Sequence, residues 1–217
     1  MDFQSTLFAP DASDAAEPVA PELTPERTLL SHGAWLDVQR NWLAGADDVF
    51  AALVSQVPWR AERRAMYDRV VDVPRLLHTY VLGEALPHPM LEEARDALSA
   101  HYLPELGEPF VSAWCCYYRD GRDSVAWHGD TIGRGKTRDT MVAIVSLGDP
   151  RKLALRPRGG RDGDGGNGGA EAMALTLGHG DLVVMGGSCQ RTWEHAVPKV
   201  AAAGPRISVQ FRPLNVF

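Results

Sequence analysis

The spacing of apolar residues changes near residue 112 and divides the chain into two parts. In the first part, Val49–Val57 (VFAALVSQV) has an apolar spacing compatible with a helix that stops at Pro58. A second amphipathic helix is predicted over Pro89–Tyr102, where apolar side chains recur about one turn apart at Leu91, Ala94, Leu98 and Tyr102. We therefore expect the first part to be helical, with its helices packed on another element.

From Ser112 onward the chain consists of short β-rich runs separated by Gly, Asp and Pro. Seven runs are candidate strands: Ala113–Arg119, Ser124–His128, Thr140–Leu147, Lys152–Arg156, Ala172–Leu177, Asp181–Met185 and Arg206–Phe211. No long helical segments alternate with them, which favours a sandwich or jelly roll over a parallel α/β sheet. The two parts together predict an α+β fold, a double-stranded β-helix (jelly roll) with N-terminal helices packed on one sheet.

Charge and composition set one tail and one loop apart from an otherwise single domain. Residues 1–26 contain six acidic residues, no Lys or Arg, and much Ala and Pro, so we expect a mostly disordered acidic tail. This tail accounts for the net charge of -6, because 22 acidic residues face 22 basic ones in the remainder. We expect residues 27–217 to form one domain, with a flexible glycine-rich loop (GGRDGDGGNGG) at about 158–170.

No segment resembles a signal peptide or a membrane-spanning helix. The three cysteines, two of them adjacent at Cys115 and Cys116 and the third at Cys189, fit neither a disulfide framework nor a zinc-binding pattern. We therefore expect a soluble, cytoplasmic protein without a membrane partner. Nothing in the sequence demands more than a monomer.

Candidate chemistry is concentrated in Trp127-His128-Gly129-Asp130 (WHGD) and at the distant His195. Residues i and i+2 of a strand point to the same face, so His128 and Asp130 can both face the interior. With a second imidazole from His195 they would form the two-histidine, one-carboxylate set of non-haem Fe(II) oxygenases, which leaves positions open for a co-substrate and dioxygen. An H-x-D pair alone also fits a turn-edge histidine beside a solvated aspartate.

A second group of polar residues lies on the last predicted strand, RISVQFR, from Arg206 to Arg212. Even spacing puts both arginines on the same side as Ser208 and Gln210, with the apolar residues on the other side. Two guanidinium groups inside a barrel need an anion beside them, and a dicarboxylate fits because guanidinium binds carboxylate bidentately. The alternative is an exposed edge strand whose polar face meets water.

In order and spacing, these motifs resemble the AlkB family of Fe(II)/2-oxoglutarate-dependent dioxygenases. The resemblance is carried by W-H-x-D, by a distal histidine and by two arginines on a closing strand, and VSLG (Val145–Gly148) and GHGDLVVMGG (Gly178–Gly187) add to it. It runs from about Val49 to Pro213. It implies a dioxygenase that uses Fe(II), 2-oxoglutarate as co-substrate, and O2.

The resemblance also assigns roles to single residues. His128, Asp130 and His195 would ligate the iron. Arg206 would pair with the distal carboxylate of 2-oxoglutarate, and Arg212 would lie near the end of the co-substrate that chelates the metal.

Three further positions bear on the co-substrate. Tyr118 matches the tyrosine of the family's N-x-Y motif, but Cys116 stands in place of its asparagine. A thiol is a poor substitute for an amide in hydrogen bonding, so we expect either a lower affinity for 2-oxoglutarate or compensation by Tyr117 or a water. Ser208 stands where other members often have asparagine.

The usual substrates of AlkB-like enzymes are 1-methyladenine and 3-methylcytosine in DNA or RNA, presented in a single strand or as a flipped base. The resemblance therefore implies oxidative demethylation of such N-alkylated bases, with release of formaldehyde, succinate and CO2. Ten basic residues against five acidic ones between residues 119 and 161 are compatible with phosphate contacts. A solvated loop surface is the alternative.

Four residues match positions near the family's substrate pocket: Tyr67, Arg75, Trp127 and Arg191. Tyr67, in a segment that resembles the nucleotide-recognition lid, would stack on the base, and Arg75 would hold the lid or a phosphate. A core tyrosine and a surface arginine are the alternatives. Many members carry an acidic residue shortly after the metal aspartate, where this chain has Thr131-Ile132.

Two other functions stay open at this stage. One is a 2-oxoglutarate oxygenase that acts on a different substrate, such as a small molecule or a modified tRNA. The other is a jelly-roll metal-binding protein without redox turnover.

Overall fold

The structure is a computed structural model that describes residues 22–66, 69–159 and 172–216. Within these ranges the strands are β1 Glu26–Leu29, β2 Ala34–Gln39, β3 Arg60–Met66, β4 Arg69–Tyr80, β5 Ser112–Tyr118, β6 Val125–His128, β7 Val142–Gly148, β8 Arg151–Pro157, β9 Met173–Leu177, β10 Asp181–Gly187, β11 Trp193–Val197 and β12 Arg206–Arg212. The helices are α1 Ala46–Gln56, α2 Pro89–Leu106 and the short α3 Cys189–Thr192. Tyr67 and most of the predicted tail and loop lie outside the described residues.

The strands form two antiparallel sheets that face each other. The large sheet has eight strands in the order β1-β2-β10-β7-β12-β5-β4-β3, and the small sheet has four in the order β6-β11-β8-β9. β12 lies between β7 and β5 and pairs with both along its length. The last strand of the chain is therefore central in the large sheet.

The central strands of the large sheet are buried on both faces, and their side chains alternate between two cores. Ala143, Val145 and Leu147 of β7 pack outward against the helices. Val142 and Ile144 of the same strand pack inward against the small sheet. This period of two explains why β7 is an almost continuous apolar run that contains only one polar residue.

Helices α1 and α2 cover the outer face of the large sheet. His88 caps α2 through its side chain, which accepts a hydrogen bond from the Met90 amide at 3.2 Å, and Gly107 ends the helix in a left-handed conformation with φ 79°. The buried faces of both helices join the outward side chains of the sheet in one core. Among the described residues, no helix is long and apolar enough to cross a membrane.

The expectation that the first part is helical is wrong for four segments. β1 and β2 precede α1, and β3 and β4 lie between α1 and α2. β3 and β4 form an antiparallel pair at the edge of the large sheet, where β4 also pairs with β5. Their sequence mixes arginines with valines without a clear period of two, so the apolar spacing alone does not reveal them. β-branched residues and pairing with β5 decide the structure there.

The N-terminal boundary of the fold also lies earlier than residue 27. Gln39 accepts a hydrogen bond from the Thr24 amide at 2.8 Å and donates one to the Glu22 carbonyl at 2.9 Å. Leu23 packs against the outer core, and Glu26 begins β1. Residues 22–26, which we predicted as tail, therefore belong to the folded part.

Substitutions of two neighbouring residues test which face of α1 packs against the core. Leu53 is fully buried and Val54 is 39% exposed. We expect Leu53→Ala to lower the free energy of unfolding by about 2–5 kcal/mol through the cavity it leaves, and Val54→Ala to change it by about 0.5 kcal/mol. Urea titrations followed by circular dichroism measure both; equal effects would show that α1 packs differently.

Candidate metal centre

Three potential metal ligands converge at one end of the space between the sheets. His128 is the last residue of β6, and His195 lies opposite it on β11 as its antiparallel partner. Asp130 follows two residues after His128, and ligand atoms of all three lie within 4.8 Å of one another. The two imidazole rings are 4.2 Å apart between centroids. The structure therefore brings together the three residues that the sequence singled out.

Asp130 reaches this position from a loop, not from the strand that we expected, because β6 ends at His128. The turn between them is tightly packed: a Cβ on Gly129 would lie 2.6 Å from the Gln190 carbonyl oxygen. The Gln190 side chain accepts a hydrogen bond from the Asp130 amide at 3.0 Å. Gln190 therefore helps to fix the carboxylate, and no sequence motif indicates this contact.

The hydrogen bonds of His128 select its tautomer. Its Nδ1 lies 2.8 Å from the Ala126 carbonyl oxygen, so Nδ1 carries the proton and donates. In the neutral form of the ring the other nitrogen, Nε2, carries the lone pair, and it lies 3.9 Å from Asp130 Oδ1. This arrangement is typical of histidine ligands, whose second nitrogen is held by a backbone carbonyl.

The electrostatics of the group favour metal-binding protonation states. Burial opposes ionisation of Asp130, but the Arg212 guanidinium and then the two imidazoles lower the pKa of its carboxyl to about 2. Arg212 donates to Asp130 Oδ2 from Nη2 at 2.7 Å and from Nε at 3.2 Å. Burial and then His128 lower the pKa of His195 to about 3, so that ring is neutral and can offer a lone pair.

The inner face of β12 forms a cationic wall beside these ligands. Arg206 is 2% exposed and donates from Nε to Ser146 Oγ at 3.1 Å, and its guanidinium lies 5.2 Å from the centroid of the Tyr118 ring. Burial lowers the pKa of Arg206. Nη1 of Arg206 and Nη1 of Arg212 are buried and have no hydrogen-bond partner among the described residues. The alternative of an exposed edge strand is therefore wrong.

The ligands and the cationic wall line one cavity of about 330 Å³ between the sheets. The other residues discussed for the co-substrate line it too: Tyr118, Cys116, Ser208 and Gln210. The Gln210 amide donates to Cys116 Sγ at 3.3 Å and to Ser208 Oγ at 3.2 Å, so it lies between the two positions that lack an amide. The even spacing of Gln210 from Arg206 predicted that it lies on this face, but the spacing does not reveal its contacts with Cys116 and Ser208.

The structure places three of the four predicted substrate contacts, and each of the three has a different environment. Arg75 lines the cavity, and its Nη1 donates to the Ser124 carbonyl at 3.1 Å. Trp127 lies in an adjoining groove, where the Arg156 guanidinium covers its ring at 4.2 Å. Arg191 forms an ion pair with Asp139 and is not among the described residues that line the cavity. The prediction for Tyr67 falls outside the described residues.

The sequence from residue 82 to residue 212 matches the family model of the 2OG-Fe(II) oxygenase superfamily. The chain belongs to the 2OG-Fe(II) oxygenase superfamily. The matched region contains β5 to β12 and with them the whole candidate metal centre. The predicted dioxygenase class and the cofactors Fe(II), 2-oxoglutarate and O2 are confirmed at the level of this superfamily.

Curated relatives within the superfamily are AlkB homologues. The chain is 31% identical over 181 residues to the alpha-ketoglutarate-dependent dioxygenase alkB homolog 3 of Bos taurus, a match that covers 78% of this chain and 62% of the relative. It is 29% identical over 236 residues to the DNA oxidative demethylase ALKBH2 of Arabidopsis thaliana, covering 94% of this chain and 72% of the relative. The match thus spans 62% of the length of the bovine relative. The predicted resemblance to the AlkB family is confirmed.

Two solved structures share the fold. A structure of OsALKBH1 has a TM-score of 0.57 at 15% identity and covers 87% of this chain and 100% of its own. A prolyl-4-hydroxylase from Pseudomonas putida has a TM-score of 0.56 at 19% identity and covers 84% of this chain and 94% of its own. At these identities the likeness concerns the fold alone, and it confirms the predicted jelly roll.

The residues in the cavity fit the cofactors of the superfamily. Two neutral imidazole nitrogens and one carboxylate oxygen are the donor set of non-haem Fe(II) sites. The buried Nη1 atoms of Arg206 and Arg212, which lack protein partners in the described part of the chain, suit the carboxylates of 2-oxoglutarate.

The metal assignment is tested by comparing two histidine variants. We expect His195→Ala to weaken the binding of Mn(II), an oxygen-stable substitute for Fe(II), by more than about a hundredfold, since it removes one of three protein ligands. His101→Ala is the control, because His101 is exposed on α2. Isothermal titration calorimetry measures both affinities, and equal values would contradict the assignment.

Proposed function

We propose that this protein is an Fe(II)/2-oxoglutarate-dependent dioxygenase that removes N-alkyl groups from the base-pairing edge of nucleobases in DNA or RNA. Lesions of the 1-methyladenine and 3-methylcytosine type are members of this class. The products are the repaired base, formaldehyde, succinate and CO2. The observation that carries the proposal is that one cavity holds both the two-histidine, one-carboxylate group and the buried guanidinium of Arg206.

In this proposal the metal ligands and the two arginines of β12 have separate roles. His128, Asp130 and His195 hold the metal, and Arg212 fixes the second oxygen of Asp130 so that Oδ1 faces the imidazoles. Arg206 binds the distal carboxylate of 2-oxoglutarate, because a buried guanidinium with a free Nη1 is stabilised most by an anion.

The remaining polar groups of the cavity orient the co-substrate. Tyr118 is buried beside Arg206, and burial raises the pKa of its hydroxyl to about 12, so it stays protonated and can donate. The Gln210 amide supplies a donor beside Cys116 and Ser208. Gln210 is our candidate for the group that compensates for the missing asparagine.

When bound, iron supplies the activation of dioxygen that no protein side chain can perform. One oxygen atom enters succinate as 2-oxoglutarate loses CO2, and the other enters a C–H bond of the N-methyl group. The N–C bond of the resulting hydroxymethyl group then breaks, formaldehyde leaves, and the hydroxyl proton is transferred to solvent or to the base nitrogen. The protein contributes orientation and a dry cavity for the oxidation.

A nucleic-acid substrate is supported by two independent facts. The Arabidopsis thaliana relative is named a DNA oxidative demethylase. Residues 119 to 161 carry ten basic and five acidic side chains, and this segment includes His128 and Asp130 of the candidate metal centre. An excess of basic residues in a sequence segment that contains two of the three candidate metal ligands is compatible with contacts to a phosphate backbone.

The proposal is tested by incubating the purified chain with Fe(II), ascorbate and 2-oxoglutarate, with and without a single-stranded oligonucleotide that contains 3-methylcytosine. We expect succinate to rise with the oligonucleotide, and the oligonucleotide to lose one methyl mass. Succinate without any change in the oligonucleotide would point to an oxygenase with another substrate. No succinate from a protein that binds metal would contradict the dioxygenase assignment.

The role of Arg206 is tested by the binding of 2-oxoglutarate to the Mn(II)-loaded protein. We expect Arg206→Met to raise the dissociation constant by about 10–100-fold, since it removes a charge-assisted hydrogen bond. Arg206→Lys, which keeps the charge and loses the planar fork, should lie between this variant and the wild type. Thermal melting of each variant checks the fold, and an unchanged dissociation constant in Arg206→Met would contradict the role.

A further inference from the structure

The cavity that holds the candidate metal centre carries an excess of positive charge. Three guanidinium groups line it, from Arg75, Arg206 and Arg212. Of the described residues that line it, Asp130 provides the only carboxylate, and Arg212 is bonded to that carboxylate. Bound Fe(II) and the dianion of 2-oxoglutarate carry equal and opposite charges, so they leave the excess of cations unchanged.

The described residues at the mouth of the cavity add no negative charge. Thr131 and Ile132 line it directly after Asp130, and Ile132 is 71% exposed. Among the described residues, a base that enters this cavity thus meets one hydroxyl and one aliphatic side chain besides the three guanidinium groups.

The hydrogen-bonding groups of the cavity wall also favour one kind of base. Arg75 donates to the Ser124 carbonyl through Nη1, while its buried Nε has no partner among the described residues. A guanidinium can only donate, so it can bind a carbonyl oxygen of a base but not an exocyclic amino group. Thr131 can donate or accept, and Ile132 can do neither.

Methylated bases differ in net charge. At neutral pH, 3-methylcytosine and 1-methyladenine are cations that carry an amino group next to the methylated nitrogen. 3-Methyluracil and 1-methylguanine are neutral. In 3-methyluracil the methylated nitrogen lies between two carbonyls, where 3-methylcytosine has one carbonyl and one amino group. Moving a cation from water into a cavity lined by guanidinium groups is unfavourable, because desolvation and like-charge repulsion add.

We propose that the cavity prefers neutral N-methylated bases, of the 3-methyluracil and 1-methylguanine type, over the cationic 3-methylcytosine and 1-methyladenine type. This preference rests on the proposed function and specifies its substrate class. Arg75 and the uncharged position at Ile132 determine the specificity. The reaction is unchanged: the methyl carbon is oxidised and lost as formaldehyde, and the base nitrogen regains a proton.

The test uses single-stranded DNA oligonucleotides of one sequence that differ only in the lesion. The matched pair is 3-methyluracil and 3-methylcytosine, which share the ring and the methylated position and differ in the neighbouring oxygen or amino group. Mass spectrometry of the released nucleosides gives kcat/KM for each, and fluorescence anisotropy without iron gives the affinity for each. We expect both measurements to favour 3-methyluracil in the wild type.

Two substitutions of Ile132 distinguish the effect of side-chain charge on lesion preference from the effect of side-chain shape. Ile132→Glu should shift the ratio of the two kcat/KM values toward 3-methylcytosine by about tenfold, since a carboxylate at the mouth attracts the cation. Glutamine has nearly the same shape as glutamate but carries no charge, so in Ile132→Gln the ratio of the two kcat/KM values should stay close to the wild-type ratio. Ile132 is largely exposed, so neither change should affect the fold, and thermal melting checks this.

The outcomes separate this inference from the proposed function. Loss of methyl from 3-methylcytosine at ten times the rate for 3-methyluracil in the wild type would overturn the preference and leave the proposed function intact. Equal shifts in Ile132→Glu and Ile132→Gln would overturn the role of charge. No loss of methyl from either lesion, with succinate still formed, would overturn the proposed function and the preference with it.

Discussion

The structure depends on the burial of two guanidinium groups on the inner face of a central strand. β12 pairs with β5 on one side and β7 on the other, so Arg206 and Arg212 cannot turn toward water. Arg212 is balanced by Asp130, which it holds beside the two histidines. In the described part of the chain, Arg206 contacts a serine and an aromatic ring but no carboxylate. A buried cation of this kind is unfavourable by itself, and an anionic ligand removes the cost.

The layers of the fold make this burial possible. Helices α1 and α2 cover the outer face of the large sheet, so the apolar side of β12 has a core of its own. The inner side is then free to be polar without disrupting the packing of the sheet. The small sheet supplies the two histidines from paired strands, and the loop after β6 supplies the carboxylate. The two sheets thus provide opposite halves of one site, with the metal ligands on one and the cationic wall on the other.

The sequence predicted the second part of the fold better than the first. Strands such as β7 and β12 have strong period-two or continuous apolar patterns, and the site residues on them follow from even spacing. β3 and β4 were missed because arginines interrupt their pattern and pairing at the sheet edge decides their structure. β11, which carries His195, was not predicted as a strand, since WEHAV is short and alternates poorly. Contacts such as Gln190 to Asp130 join segments sixty residues apart and leave no local signal.

The central claim is that the triad and the cationic wall act as one site, and visible absorption of the anaerobic protein tests it directly. Titration of the Fe(II)-loaded protein with 2-oxoglutarate should produce a charge-transfer band, because in the proposed site the triad would hold the metal and Arg206 would bind the distal carboxylate of the co-substrate. Asp130→Ala, which removes a metal ligand, should abolish the band. Binding of 2-oxoglutarate without a band in the wild type, or a full band in Asp130→Ala, would contradict the account.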